Sequence, residues 1–171
     1  MNLCDKETVK YPKRKHPRLK QYDYSLPGYY YVTIHNEKNA PHLSTVGRGL
    51  APDAAVIRLT SLGKAAQSQL RALEERYPSV CVDKYVIMPN HIHMILRLTG
   101  ETAGASPRPT LPEIVGTYKS LVTRICNRSD QTPGRKIFQT SFYETVLRDE
   151  GMYQDCWRYI EGNPSKWLEE K

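Results

Sequence analysis

His91-Ile92-His93 is the segment with the clearest capacity for chemistry. Residues i and i+2 of a strand point to the same face, so two imidazoles here would stand side by side, roughly 6–7 Å apart at Cα. Such a pair can hold one metal ion, and histidine is scarce, with five in the chain. An isolated His-x-His also fits two unrelated polar residues at the start of a strand. A metal needs more than two ligands. Oxygen-rich sites suit Mg²⁺ or Mn²⁺, and Mn²⁺ tolerates imidazole better.

A segment near the C-terminus offers a partner for that pair. At about 100° per residue, Met152, Cys156, Tyr159 and Asn163 share one helical face, while Tyr153, Trp157 and Ile160 share another. The second set is apolar and reads as a core stripe. Tyr159 and Asn163 are i and i+4 neighbours, so a phenol and an amide oxygen lie one turn apart. They suit a nucleophile and a ligand. They equally suit an ordinary amphipathic aromatic and a helix C-cap.

The rest of the chain must position these groups. Pro27-Gly28 marks a turn, and Tyr29 to His35 is an aromatic, β-branched run expected to form a strand. Residues 36–53 read as loop with room for a short hairpin, and 54–60 as a second short strand. Ser61 is a plausible N-cap for a helix to about Tyr77, which Pro78 stops. Residues 80–88 and 91–98 read as strands joined at Pro89-Asn90. Thr110 is expected to cap a helix over 111–127. Residues 137–147 contain a further strand, and Asp149 caps a last helix to about Gly162, with Asn163-Pro164 as its end. Interleaved strands and helices around a hairpin predict an α+β, ferredoxin-like domain: a mostly antiparallel sheet with helices packed on one face.

Length and charge bound the partners. The 171 residues fit one domain, 39% hydrophobic and 25% charged, which permits a real core. No apolar run approaches the roughly 20 residues of a membrane helix, and the start lacks the apolar stretch of a secretory signal. The net charge is +7, leaning towards a polyanion. It is unevenly spread: Lys6, Lys10, Lys13, Arg14, Lys15, Arg18 and Lys20 face only Asp5 and Glu7. Residues 1–24 therefore read as a basic N-terminal arm, and 25–171 as the folded body. The four cysteines form no CxxC pair, so reduced thiols in a cytoplasm are the simplest expectation. His35 and His42 have no partner by spacing and are expected to be non-functional.

Tyr85-Val86-Ile87-Met88-Pro89-Asn90-His91-Ile92-His93 resembles the "V-x-M-P-N-H-x-H" block of the HUH single-tyrosine transposases, in their REP-associated tyrosine transposase branch. Further segments agree in order. Residues 28–34 are similar to that family's first strand, and Tyr118-Lys119-Ser120 to its "F/Y-K-S" block. Ile137 to Glu144 is similar to "I-W-Q-x-S-F-Y-E/D", Arg148-Asp149-Glu150 to "R-x-E", and Tyr159 to Pro164 to "Y-I-x-x-N-P". Each block is weak alone; the ordered set over residues 18–167 is specific. The loops at 36–53 and 100–109 depart from the family pattern.

The resemblance implies a metal-dependent single-stranded DNA endonuclease and strand transferase that cuts near hairpins through a 5′-phosphotyrosine. It implies Tyr159 as nucleophile, His91, His93 and Asn163 as ligands of Mg²⁺ or Mn²⁺, and single-stranded DNA with hairpin or repeat ends as partner. A bacterial cytoplasmic setting and a monomer or homodimer fit with it. Arg14, Lys15, Arg18 and Lys20 are the candidate DNA contacts of the arm. A catalytically silent hairpin-binding protein of the same fold is the competing reading. A hydrolase using activated water is a third, disfavoured by the lack of an obvious Asp/Glu ligand pair.

Overall fold

The computed structural model describes residues 19, 21–50, 54–100 and 108–170. Arg14, Lys15, Arg18 and Lys20 lie outside them. Six strands and three helices follow in the order β1 Gly28–His35, β2 Ser44–Arg48, β3 Ala55–Leu59, α1 Ser61–Arg76, β4 Val80–Ile87, β5 His91–Leu98, α2 Leu111–Ser129, β6 Tyr143–Leu147 and α3 Glu150–Glu169. The main sheet runs β4-β5-β1-β6, and β2 pairs with β3 in a separate hairpin. Every pairing is antiparallel. Setting the hairpin aside leaves a β-α-β-β-α-β chain with its first and third strands at the centre, the ferredoxin-like arrangement.

Strand alternation divides the sheet into two faces. Tyr30, Val32 and Ile34 of β1 and Ile92, Met94 and Leu96 of β5 pack with α1 and α2 into one core. Tyr31, Val86, Ile95 and Leu147 form a second cluster with Ile160, and Met152, Tyr153, Cys156, Trp157, Tyr159 and Trp167 of α3 pack against it. The helices thus occupy both faces, not one. Two helices fill the area over four strands, so α3 covers the face that would otherwise expose Tyr31 and Ile95 to water.

Helix ends follow local chemistry. Thr60, one residue before the expected Ser61, caps α1 by accepting from Gly63 N at 3.2 Å. Thr110 and Glu113 form a reciprocal capping box on α2. Asp149 Oδ1 accepts from Met152 N at 2.8 Å and starts α3. The expected stop at Asn163-Pro164 does not occur: α3 runs through Pro164 to Glu169. Proline deprives the Ile160 carbonyl of its helical donor, at roughly 3 kcal/mol in a helix interior. The turn beyond it is held in compensation by Trp167, which packs against the second cluster.

At the expected boundary of the arm, Tyr24 is buried and its hydroxyl donates to Glu144 Oε1 at 2.7 Å. Gly63 sits where α1 crosses the chain leading into β2. A β-carbon there would collide with the Leu43 carbonyl oxygen. Gly63→Ala is therefore expected to destabilise the domain by about 1–3 kcal/mol, read as a lower urea midpoint, because backbone cannot yield as a side-chain tip can. An unchanged midpoint would show that this crossing relaxes freely.

Candidate metal centre and nucleophile

β1 and β5 pair in a register that sets His91 opposite His35 and His93 opposite Thr33. All four belong to the sheet face beneath α3. The rings of His91 and His93 lie 4.5 Å apart, centroid to centroid. His93 is buried, and its Nδ1 lies 2.8 Å from the Tyr31 hydroxyl and 2.9 Å from Thr33 Oγ1. Both partners are hydroxyls, which donate or accept; where Nδ1–H donates to one of them, Nε2 carries the lone pair. For His91 the partner is decisive. Its Nδ1 is 2.7 Å from Asn90 Oδ1, which can only accept, so its proton resides there and Nε2 is the basic nitrogen.

Burial, aided by His35, brings the His91 pKa down to about 4, although the neighbouring Asn163 side chain acts in the opposite direction. Burial and the two neighbouring imidazoles take His93 to about 2. Both rings are neutral at pH 7, the state in which imidazole binds a cation.

α3 supplies the remaining groups. Asn163 is buried within the helix, not exposed as a cap. Its side chain reaches towards His91 closely enough to favour the protonated ring. No hydrogen bond of normal geometry closes on His91 Nε2, however, which is buried and unpartnered among the described residues. One turn earlier, the Tyr159 ring lies 5.3 Å from His93 and 6.4 Å from Tyr31. The turn beyond Pro164 adds two contacts. Lys166 Nζ sits 4.9 Å from the Tyr159 ring centre, and Trp167 lies 6.1 Å from His91.

The residues singled out in the sequence, His91, His93, Tyr159 and Asn163, thus converge from one strand and one helix. Among the described residues, no three His, Cys, Asp or Glu side chains form a metal-binding group. A site here would be two imidazoles completed by the Asn163 amide. That donor set fits a divalent cation. It offers two neutral rings, and on His91 a buried basic nitrogen that meets no hydrogen among the described residues. Sequence spacing missed Tyr31, Thr33 and His35. Their signal is alternation along β1, which acquires meaning only once β1 is paired with β5.

Two other tyrosines, Tyr118 and Tyr153, are engaged elsewhere. Tyr118 is buried and donates to Ala66 O at 3.2 Å. Tyr153 donates to Asp83 at 2.6 Å, on the outer side of β4.

This fold is shared with a REP-associated tyrosine transposase solved bound to a REP hairpin. The two chains are 17% identical, with 87% of this chain and 73% of that chain covered at a TM-score of 0.56. A Deinococcus radiodurans chain, 15% identical and covering 85% of this chain and 95% of its own, superposes at a TM-score of 0.48. A Haemophilus influenzae protein described only as uncharacterized is 26% identical over 176 residues, 92% of each chain. No family model matches the sequence. Among the described residues, no helix is long and apolar enough to cross a membrane.

Proposed function

We propose that this chain is a DNA transposase: a metal-dependent single-stranded endonuclease and strand transferase that cuts beside hairpins through a 5′-phosphotyrosine. The observation that carries this reading is the unpartnered, buried His91 Nε2 beside neutral His93 and facing Asn163, with Tyr159 one turn away on the same helix. The shared fold with a hairpin-bound tyrosine transposase supports the choice of substrate.

A divalent cation, Mg²⁺ or Mn²⁺, held by His91, His93 and Asn163 would supply positive charge to polarise the scissile phosphate and stabilise the leaving 3′ oxygen. The chain's own groups do the rest. Tyr31 and Thr33 hold the His93 ring through Nδ1, and Asn90 holds His91 in the tautomer whose Nε2 is basic. α3 fixes Tyr159 and Asn163 relative to one another, so nucleophile and amide move as one body.

The Tyr159 oxygen attacks phosphorus and loses its proton to solvent, and the bond to the 3′ oxygen breaks. That oxygen takes a proton and leaves as a 3′-hydroxyl, while the 5′ end stays esterified to tyrosine. The phosphodiester count is unchanged, so a 3′-hydroxyl can reverse the step without ATP. Lys166, over the Tyr159 ring, adds positive charge near the attacking group. The basic arm, with Arg14, Lys15, Arg18 and Lys20, is assigned to phosphates flanking the cut, on its sequence charge alone.

The test is a hairpin-bearing single strand, end-labelled, incubated with Mn²⁺ or Mg²⁺. A covalent protein–DNA adduct with a free 3′-hydroxyl product is expected. Binding without an adduct would overturn the reading in favour of a silent hairpin-binding protein.

A second readout needs no DNA. Mn²⁺ at about 100 times its dissociation constant is expected to stabilise the folded chain by about 2.7 kcal/mol, seen as a higher Tm. His91→Gln and His93→Gln should each remove most of that gain. A Tm that rises equally in both variants would place the cation elsewhere.

A further inference from the structure

Beyond the end of β1, three loops converge. Asn36 N donates to Asn90 O and Gln139 N to His35 O, both at 2.9 Å, and Glu37 N donates to Ile137 O at 2.8 Å. Lys119 Nζ ties the third loop to α2 by donating to the Gln139 and Thr140 carbonyls at 2.6 and 2.8 Å. The loops frame a cavity of about 470 Å³ lined by His35, Asn36, Lys38, His42, Asn90 and Gln139, with Glu37 adding a carboxylate.

Two lining residues also touch the histidine pair. Asn90 Oδ1 accepts from His91 Nδ1, and the His35 ring lies 5.7 Å from that of His91. The cavity therefore begins where the candidate metal centre ends. Tyr143, the first residue of edge strand β6, stands edge-on against His35 at 5.8 Å and is half exposed. In the wall, the buried Asn36 amide donates to Pro41 O at 3.2 Å, which identifies its oxygen. That oxygen meets no donor among the described residues.

We propose that this cavity receives one unpaired nucleobase of the strand next to the scissile phosphate, with Tyr143 as the stacking surface beside it. The inference rests on the DNA-cutting reading above and deepens it. The volume lies within the range of about 300–1,000 Å³ usual for small-molecule sites. The lining mixes amides, imidazoles, one ammonium and one carboxylate, so it offers donors and acceptors together, as the edge of a base requires. A phosphate only accepts and carries negative charge, so the Glu37 carboxylate in the lining argues against that occupant. An exposed aromatic ring next to such a pocket provides sequence-tolerant stacking.

The experiment scans a hairpin-bearing oligonucleotide with single abasic sites through its unpaired flanks. Affinity is measured with the Tyr159→Phe protein so that the strand stays whole. One position is expected to weaken binding on the order of tenfold. In a Gln139→Ala/His42→Ala protein, both sites being exposed and free of core contacts, the intact strand should bind on the order of tenfold more weakly and the abasic penalty should vanish. Tyr143→Ala should weaken binding and Tyr143→Phe restore it. An abasic penalty that persists in the cavity variants, or no penalty at any position, overturns the proposal and leaves the cutting reading intact. If the wild-type protein binds the strand but never cuts it, the cutting reading fails while the abasic scan still judges the cavity. Absence of strand binding overturns both.

Discussion

Tyr159→Phe is expected to leave a folded protein that binds metal and hairpin DNA but forms no covalent adduct, with cutting lowered on the order of 10³-fold or more. Phenylalanine keeps the ring that packs beside His93, Tyr31 and Lys166, so the fold and the cation site have no reason to change. Only the attacking oxygen is lost. The informative comparison is Tyr31→Phe, because the Tyr31 hydroxyl is also close to the centre, 2.8 Å from His93 Nδ1. Tyr31 is buried and its oxygen is committed to orienting an imidazole, so its loss should weaken metal binding about 10- to 100-fold while the adduct still forms at saturating metal. Peptide mapping of the trapped adduct decides between the two. A Tyr159→Phe protein that still yields adduct would assign the attack to another oxygen, with Tyr31 the first to examine.

That comparison also marks what linear sequence can carry. The i, i+2 histidines and the i, i+4 tyrosine and asparagine are periodic features, and periodicity within one element is written directly in the chain. The β-α-β-β-α-β order, the capping residues Thr110 and Asp149 and the short strand within residues 54–60 are legible for the same reason, whereas its partner is Ser44–Arg48 and not a hairpin closed within residues 36–53. Pairings between distant segments are not. His35 looked solitary by spacing, yet the β1–β5 register sets it opposite His91, 56 positions later. Tyr31 and Thr33 gain a role only through the same pairing. Pro164 misleads in the opposite direction. Its local rule ends a helix, but Trp167 packs on a cluster built from β1, β4 and β5, and tertiary contact overrides the rule. The extra turn matters for the site, because it carries Lys166 to the Tyr159 ring.

Between pH 7 and pH 4 the metal-free protein is expected to lose roughly 3 kcal/mol of stability through His91 alone. An unfolded imidazole takes its proton near pH 6.5, whereas His91 in the folded chain resists until about pH 4. Within that window the unfolded state holds more protons, so stability rises with pH and falls as acid is added. At about 1.4 kcal/mol per pH unit, a gap of about 2.5 units gives the stated loss. His93 extends the same trend to lower pH, since burial beside two other imidazoles takes it to about 2, and His35 contributes in the same direction. Asp23 and Glu113 are held below their ordinary values by hydrogen bonds from Ser25 and Thr110, so their contribution is present above the ordinary carboxylate range and is lost as pH falls through it. Comparison with a variant lacking both imidazoles isolates the histidines' share of the loss between pH 6.5 and 5. Urea unfolding at pH 7, 6 and 5 should show a falling midpoint for the wild-type chain and a clearly shallower fall, left to His35, for His91→Gln/His93→Gln, whatever the variant's stability at pH 7. Bound Mn²⁺ should raise the wild-type midpoint by a similar amount at all three pH values, because neither ring holds a proton in the folded state for the cation to displace. A flat wild-type curve would mean that both rings protonate freely in the folded state. The neutral, inward-facing pair on which the metal assignment depends would then not exist at pH 5.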